Sequence, residues 1–428
     1  MKKTLLTATL VGTVAAFQSF GAGFAIYEVS ARGNAVGGTL VGSTKDASAN
    51  YFNPANLTET ESGDFMISAT FISPSVKTAS SDTPSEKSRL DDQIFTVPSF
   101  FITQKIAEPV WLGFGVYSEF GLGTSWDEDR LMRTVGPGNN VFADMLTVTM
   151  NPNIAVKITD ELSIAAGLRI MYFQMEMRQH IHNPMLVPLG LGNVGYLNMK
   201  GDAWGVGYGL AATYRPLDNL SFGLVYKSKV KQDLSGIAHL QDYNNFHAHP
   251  MIAGTAPDLY ANAEASVVLP PSVTFGANWD ATESLTFGAT VTWTGWSSYR
   301  SLGIYTPDAQ GTFWDGMNAG MPHPKDWRNV FRYSLGVEYA FSEQWTLMGS
   351  YVLDRDPINR HYLDTLLPAG NRSIFSAGLG WSDGEWSAAG SVGLILMQHT
   401  GGHLENGVHA NFTDGYAPML ALSIGKTF

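Results

Sequence analysis

Residues 285–294 read LTFGATVTWT, and their alternation decides the fold. Odd positions carry Leu285, Phe287, Ala289, Val291 and Trp293, while even positions carry Thr286, Gly288, Thr290, Thr292 and Thr294. Side chains of a strand alternate between its two faces, so one face here is apolar and the other small and polar. The same division recurs in Trp204, Val206, Tyr208, Leu210 and Tyr214 against Gly205, Gly207, Gly209, Thr213 and Arg215. It recurs again in Leu162, Ile164, Leu168, Ile170 and Tyr172 against Ser163, Gly167 and Arg169. These runs exceed the five or six residues of an ordinary strand and approach the roughly 9–11 that a tilted strand needs to cross a bilayer.

Fourteen such segments fall near 63–75, 93–106, 109–121, 142–158, 161–178, 202–215, 219–235, 262–280, 283–299, 327–341, 344–354, 371–382, 385–398 and 415–428. Connections between them alternate between long and short, the short ones being turns such as Ala107-Glu108, Thr159-Asp160 and Ala281-Thr282. Short turns on one side and long loops on the other are the habit of outer-membrane barrels. The expectation is an all-β, 14-stranded antiparallel transmembrane barrel with both ends on the short-turn side. Trp279, Trp293, Trp296, Trp345, Trp381 and Trp386 stand near segment ends, where an aromatic girdle would meet lipid headgroups. The last strand sets Tyr416, Leu420, Leu422, Ile424 and Phe428 in one register. Its terminal aromatic, Phe428, resembles the signal read by the barrel assembly machinery.

Composition agrees with export and membrane insertion. Lys2 and Lys3 precede an apolar run from Leu5 to Phe17, and Ser19 and Gly21 suit cleavage before Ala22, so residues 1–21 read as a signal peptide. Only 15% of the 428 residues are charged, against about 25% in a soluble domain. The net charge of −12 argues against a nucleic-acid partner, and the lack of cysteine excludes disulfides, thiol chemistry and thiolate zinc sites. No later stretch holds the roughly 18 apolar residues of a spanning helix.

Residues 22–62 do not alternate. They are small and polar, include DASANYFNPANLT at 46–58, and precede the barrel segments at 63–428. With Ala22-Gly23-Phe24, Asp46-Ala47-Ser48 and Asn53-Pro54-Ala55, this part resembles the FadL family of Gram-negative outer-membrane transporters of long-chain fatty acids and other hydrophobic compounds. FGLGTSW at 120–126, LPPSVTFGANW at 269–279, WRNVFRYSLGVEY at 327–339 and PAGNR at 368–372 follow in the family's order. The resemblance implies a lumen closed by an N-terminal hatch of short helices, and a third strand kinked to open a lateral gap. Ligand would enter a loop-side groove, bind in a lumen pocket and leave passively through the wall, without a cofactor. Expected partners are a long-chain fatty acid or another hydrophobic small molecule, the surrounding outer-membrane lipid and lipopolysaccharide, and the assembly machinery. A monomer is expected.

Residues follow from that reading. Phe24, Ile26 and Val29 are apolar candidates for the pocket, or else pack the plug against the barrel. Arg332, Arg169 and Arg215 are candidates for a ligand carboxylate, or else pair with lumen carboxylates such as Glu338. VYSEFGLGT at 116–124 supplies the kink: Ser118, Glu119 and Phe120, with Gly121 and Gly123 permitting a bend. Asn53, Pro54 and Ala55 would form the corner that packs the hatch, with Asn53 satisfying backbone groups at the bend. The histidines fall in or beside loops without a third metal ligand, and no nucleophile setting marks an enzyme, so neither metal nor catalytic residues are expected. Alternatives within reach of the same sequence are an importer of aromatic hydrocarbons, an open diffusion porin, and an adhesin or phage receptor acting through the loops.

Overall fold

A computed structural model of the chain describes residues 23–60, 62–182, 193–241, 260–307 and 323–428. The expected signal peptide and two of the loop histidines, His247 and His249, lie outside these residues. Fourteen strands hydrogen-bond in sequence order, each antiparallel to the next. They are β1 Asp64–Ile72, β2 Phe95–Ala107, β3 Val110–Tyr117 resuming as Gly121–Ser125, β4 Asn140–Lys157, β5 Leu162–His182, β6 Asn193–Leu217 and β7 Leu220–Lys227 resuming as Val230–Gln241. There follow β8 Tyr260–Leu269 resuming as Ser272–Thr282, β9 Leu285–Thr294, β10 Val330–Ala340, β11 Trp345–Asp354, β12 Arg372–Ser382, β13 Trp386–Met397 and β14 His409–Thr427. Closure is direct, because β1 pairs with β14 from Asp64↔Thr427 to Ile72↔Met419. A closed sheet has no free edge, which is the condition for backbone polar groups to cross lipid as strands.

Alternation has its expected consequence. Trp204, Val206, Tyr208, Leu210 and Tyr214 are all exposed on the outer wall, while Thr290, Thr292 and Thr294 of β9 are buried toward the lumen. Trp279, Trp345 and Trp386 are exposed outside. Trp296 is not in the girdle: it is 1% exposed, because the chain turns inward after Thr294 into a short 3₁₀ turn, Trp296–Ser298. Phe428 exchanges backbone hydrogen bonds with Gly63 at 2.8 and 3.0 Å and presents its ring outward.

Several stretches read as loops are strand. β5 runs for 21 residues and β6 for 25, so their hairpin continues well into the connection expected at 179–201. There the alternation is inverted, with Leu197 and Met199 buried toward the lumen and Asn198 and Lys200 on the outer face, so it does not read as a lipid-facing strand.

The hatch fills the lumen. Helices α1, Ala31–Ala35, and α2, Ala49–Phe52, precede a 3₁₀ helix at Pro54–Glu59. Ser30 caps α1 by accepting from the Gly33 N–H. Lumen-facing glycines make room for these elements. A Cβ on Gly223 of β7 would lie 1.9 Å from the Val41 carbonyl oxygen, and one on Gly288 of β9 would lie 2.6 Å from Thr39 Oγ1. Arg32 then fixes α1 to the wall through a bidentate pair with Glu338 of β10, at 2.8 and 2.9 Å, and a contact of 3.0 Å to Asp46.

Candidate ligand path and hatch

The wall is interrupted at β3. Pairing between β2 and β3 runs from Ala107↔Val110 to Phe100↔Val116 and stops, so Phe95–Ser99 of β2 pair with β1 but not with β3. Ser118, Glu119 and Phe120 leave the ladder before Gly121 resumes pairing with β4. One hydroxyl supports the break from the other side: Thr147 of β4 accepts from the Phe120 N–H at 3.0 Å and donates to the Phe120 carbonyl at 2.6 Å. Ser118 Oγ donates to the Thr147 carbonyl at 2.7 Å. The bend therefore lies in Ser118-Glu119-Phe120. Gly121 and Gly123 stand in regular pairing opposite Leu146 and Asp144, without a positive φ, so neither glycine makes the turn.

The hatch occupies the exposed edge. Ile26 donates its N–H to the Glu119 carbonyl at 2.8 Å, and the Gly121 N–H donates to the Phe24 carbonyl at 2.9 Å, with Ala25 opposite Phe120. Phe24 is thereby held inside four aromatic rings, those of Trp296, Tyr299, Trp327 and Phe120, at centroid distances of 4.7, 5.5, 5.5 and 6.0 Å. This cage is one end of an apolar chamber, a region of the lumen filled by packed side chains that continue through Met145, Met171, Phe173, Met175, Met177 and Met199. A narrow pocket of about 30 Å³ opens among Met175, Met177, Met199, Leu234, Val267 and Leu302. Methionine is flexible at three torsions and adapts to irregular ligands.

Phe24 alone of the three apolar hatch candidates belongs to this chamber. Ile26 packs with Ile72, Val97, Val352 and Ile374, and Val29 with Val36, Phe52 and Phe101, so both join the plug to the wall. The methionine column was legible in β5. Its lumen register changes from Ser163, Gly167 and Arg169 to Met171, Phe173, Met175 and Met177, polar below and apolar above.

Each candidate arginine is already engaged. Arg169, 2% exposed, places Nε and Nη2 at 2.8 and 2.5 Å from Glu119 Oε2, and its Nη1 donates to the Ser228 carbonyl at 2.6 Å. Lys227 takes the other oxygen of Glu119 at 2.8 Å and lies 4.0 Å over the Tyr51 ring. The kink thus carries one carboxylate between two cations. Arg332 pairs with Asp354 of β11 at 3.4 Å and covers the Tyr27 ring at 4.3 Å. Glu338, expected to answer one of the candidate arginines on the strands, pairs with Arg32 of the hatch instead. Arg215 pairs with Glu59. Lys227 and Arg332 both line a cavity of about 60 Å³ of mixed character, with Tyr27, Val41, Phe52 and Thr292.

Asn53 is the knot of the hatch. Its Oδ1 accepts from the Ala55 N–H at 3.0 Å, capping the 3₁₀ helix in which Pro54 takes the first position. Its Nδ2 donates to the Val41 carbonyl at 2.7 Å and to Thr213 Oγ1 of β6 at 2.8 Å. One amide joins two hatch segments to the wall, and Asn53 and Ala55 are fully buried.

Loops roof the chamber. Trp126 Nε1 donates to the Thr365 carbonyl at 3.0 Å, and Lys325 joins Asp364 and Glu405 at 2.6 and 2.7 Å, so three connections share one ammonium. Burial pulls that ammonium down, but Asp364 and Glu405 outweigh it and hold the group above the ordinary lysine range. Among the described residues no cluster of three or more His, Asp or Glu side chains could hold a metal.

The profile of a family described as outer membrane protein transport protein (OMPP1/FadL/TodX) matches residues 12–388. The long-chain fatty acid transport protein of Escherichia coli O6:H1 is 23% identical over 445 residues, covering 97% of this chain and 94% of the relative. A FadL homologue of Pseudomonas aeruginosa superposes with a TM-score of 0.81 at 19% identity, covering 95% of this chain and 100% of that one. The toluene transporter TbuX of Ralstonia pickettii superposes with a TM-score of 0.68 at 18% identity, covering 95% and 99%.

Proposed function

We propose, because the chain belongs to the OMPP1/FadL/TodX family of outer membrane transport proteins, that it carries hydrophobic small molecules passively across the outer membrane of a Gram-negative cell. Long-chain fatty acids are the leading class, in keeping with the relative's activity in E. coli. One observation carries the route: residues 24–26 occupy the broken edge of β3, and Phe24 reaches from that edge into the apolar chamber. A molecule caught at the loops passes into the chamber, rests against Phe24, and leaves sideways between β2 and β3 when residues 24–26 give way. Burying ten methylenes supplies roughly 8 kcal/mol before binding costs, which corresponds to about micromolar affinity. Movement down a concentration gradient of the ligand requires no energy source.

Aromatic hydrocarbons are the second reading, favoured by the cage of rings around Phe24 and by the likeness to a toluene transporter. The Arg332 and Lys227 cavity is the place for a carboxylate, at the cost of competing with Asp354 and Glu119. Native mass spectrometry of the purified protein, with uptake of radiolabelled oleate and toluene by cells expressing it, tests the proposal. Co-purified fatty acid with oleate uptake supports the first reading, and toluene uptake alone supports the second. Rapid swelling of liposomes in small sugars would establish an open porin and sink both.

A further inference from the structure

We propose that Gln232, on the lumen face of β7, selects hydrophobic ligands that carry a hydroxyl group over plain hydrocarbons. This rests on the transport reading above and adds to it a ligand chemistry. The Gln232 side chain is fully buried, and neither its Nε2 nor its Oε1 has a hydrogen-bond partner among the described residues. Its neighbours on the same face, Val230 and Leu234, belong to the apolar chamber, and Val267 stands directly opposite on β8. A leucine or methionine would fill this position without penalty, whereas each orphaned polar group costs roughly 1–3 kcal/mol. An amide kept there at that cost has a partner that arrives from outside.

Its setting says where that partner lies. A Cβ on Gly205 of β6 would be 2.7 Å from Gln232 Nε2, so the amide rests over bare backbone. The next lumen position on β6, Gly207, faces Ser228, and a Cβ there would be 3.5 Å from Arg169 Nη1. Two residues of strand are about 7 Å, so the amide stands one step outward of the Glu119–Arg169–Lys227 cluster. On its other side, Leu234 lines the pocket with Met175 and Met199. Gln232 thus sits where the methionine-lined chamber meets the charged kink, the level at which the single polar group of a mainly apolar molecule comes to rest.

The chemistry of the amide then ranks the ligands. A primary amide offers donors and an acceptor together. A hydroxyl both donates and accepts, and satisfies both orphaned atoms. A carboxylate accepts only, leaving Oε1 unpaired, and the nearest guanidinium is already committed to Glu119 and Ser228. A hydrocarbon satisfies neither.

Binding of 1-dodecanol, dodecanoate at pH 8 and dodecane to the detergent-solubilised full chain, followed by quenching of tryptophan fluorescence, tests this. The native protein should bind dodecanol most tightly. Gln232→Leu should weaken dodecanol by about ten-fold while leaving dodecane within about two-fold, and should raise the thermal midpoint because the orphaned amide is gone. Gln232→Met provides the same test in an unbranched side chain should the leucine variant misfold. Equal losses for all three probes, no loss for dodecanol, or a lowered midpoint in both variants would overturn the assignment. Failure of the native protein to bind any probe would instead remove the transport reading beneath it.

Discussion

The Gly121 N–H donates to the Phe24 carbonyl at 2.9 Å, joining the first described residues of the hatch to the strand whose pairing with β2 is broken off. Two features expected separately, a plug and a kink, are therefore one structural unit. On the proposed route, movement of residues 24–26 would expose the edge of β3 and withdraw Phe24 from its cage in the same event.

Phe24→Ala tests the cage. Truncating a buried phenylalanine ordinarily costs about 3–5 kcal/mol, here spent within the hatch and chamber while the strand ladder of the barrel persists. Hexadecanoate affinity, measured by fluorescence titration, is expected to fall by about ten-fold or more, each such factor being about 1.4 kcal/mol. Native affinity in a folded Phe24→Ala protein would place the ligand elsewhere.

Glu119→Gln tests the electrostatics of the kink. It leaves Arg169 and Lys227 without their shared carboxylate, and removing one member of a buried pair costs about 3–5 kcal/mol. The thermal midpoint should fall and residues near 24–26 should become sensitive to protease. Adding Arg169→Met should restore part of the loss. Additive losses in the double variant would show that the two residues do not act together.

Asn53→Ala tests the knot of the hatch. The Ala55 N–H loses its partner, while the Val41 carbonyl and Thr213 Oγ1 each lose one bond and keep another to Asn56, and the N–H left buried and unpaired costs roughly 1–3 kcal/mol. A heat-modifiable barrel that now leaks small sugars into liposomes is the expected phenotype. A tight, fully active variant would reduce the motif to an ordinary turn.

Much of this was legible in the sequence, and what was not has physical causes. Alternation reports which side of a wall a residue faces, so the fourteen strands and residues such as Trp204 and Tyr208 followed from it. It does not report what a residue meets across the lumen. Glu338 therefore could not be assigned to Arg32, nor Glu119 to Arg169 and Lys227, because these pairs join elements far apart in the chain. Trp296 was misplaced because an inward turn after Thr294 looks, in sequence, like a strand end with an interfacial tryptophan. The glycines near the kink drew attention by their flexibility, whereas the turn is made by Ser118, Glu119 and Phe120 under the hold of Thr147. Among hatch residues only the identity of the neighbours separates Phe24 from Ile26 and Val29, since all three are apolar and buried.

Lys325→Met tests the roof. Because Asp364 and Glu405 raise the lysine above its ordinary range, its contribution is complete below the unfolded-state value of 10.5 and is lost only as pH rises through the higher folded value. Trypsin resistance of the loops should thus stay constant from about pH 7 to pH 10 in the native protein. In Lys325→Met it should be low throughout. Loops equally resistant in both proteins would show that the ammonium does not hold them.

The lateral route is tested most directly by locking its gate. Ala25 and Phe120 face each other in an antiparallel bridge flanked by the bonds from Ile26 to Glu119 and from Gly121 to Phe24. Such a non-hydrogen-bonded pair brings Cα atoms to about 4.5 Å, within reach of a disulfide, and the native chain has no cysteine to interfere. Uptake of radiolabelled oleate by cells carrying Ala25→Cys with Phe120→Cys should drop to background when oxidised and return to the level of the single Phe120→Cys variant on reduction. Equal uptake in the oxidised and reduced states would contradict passage past residues 24–26.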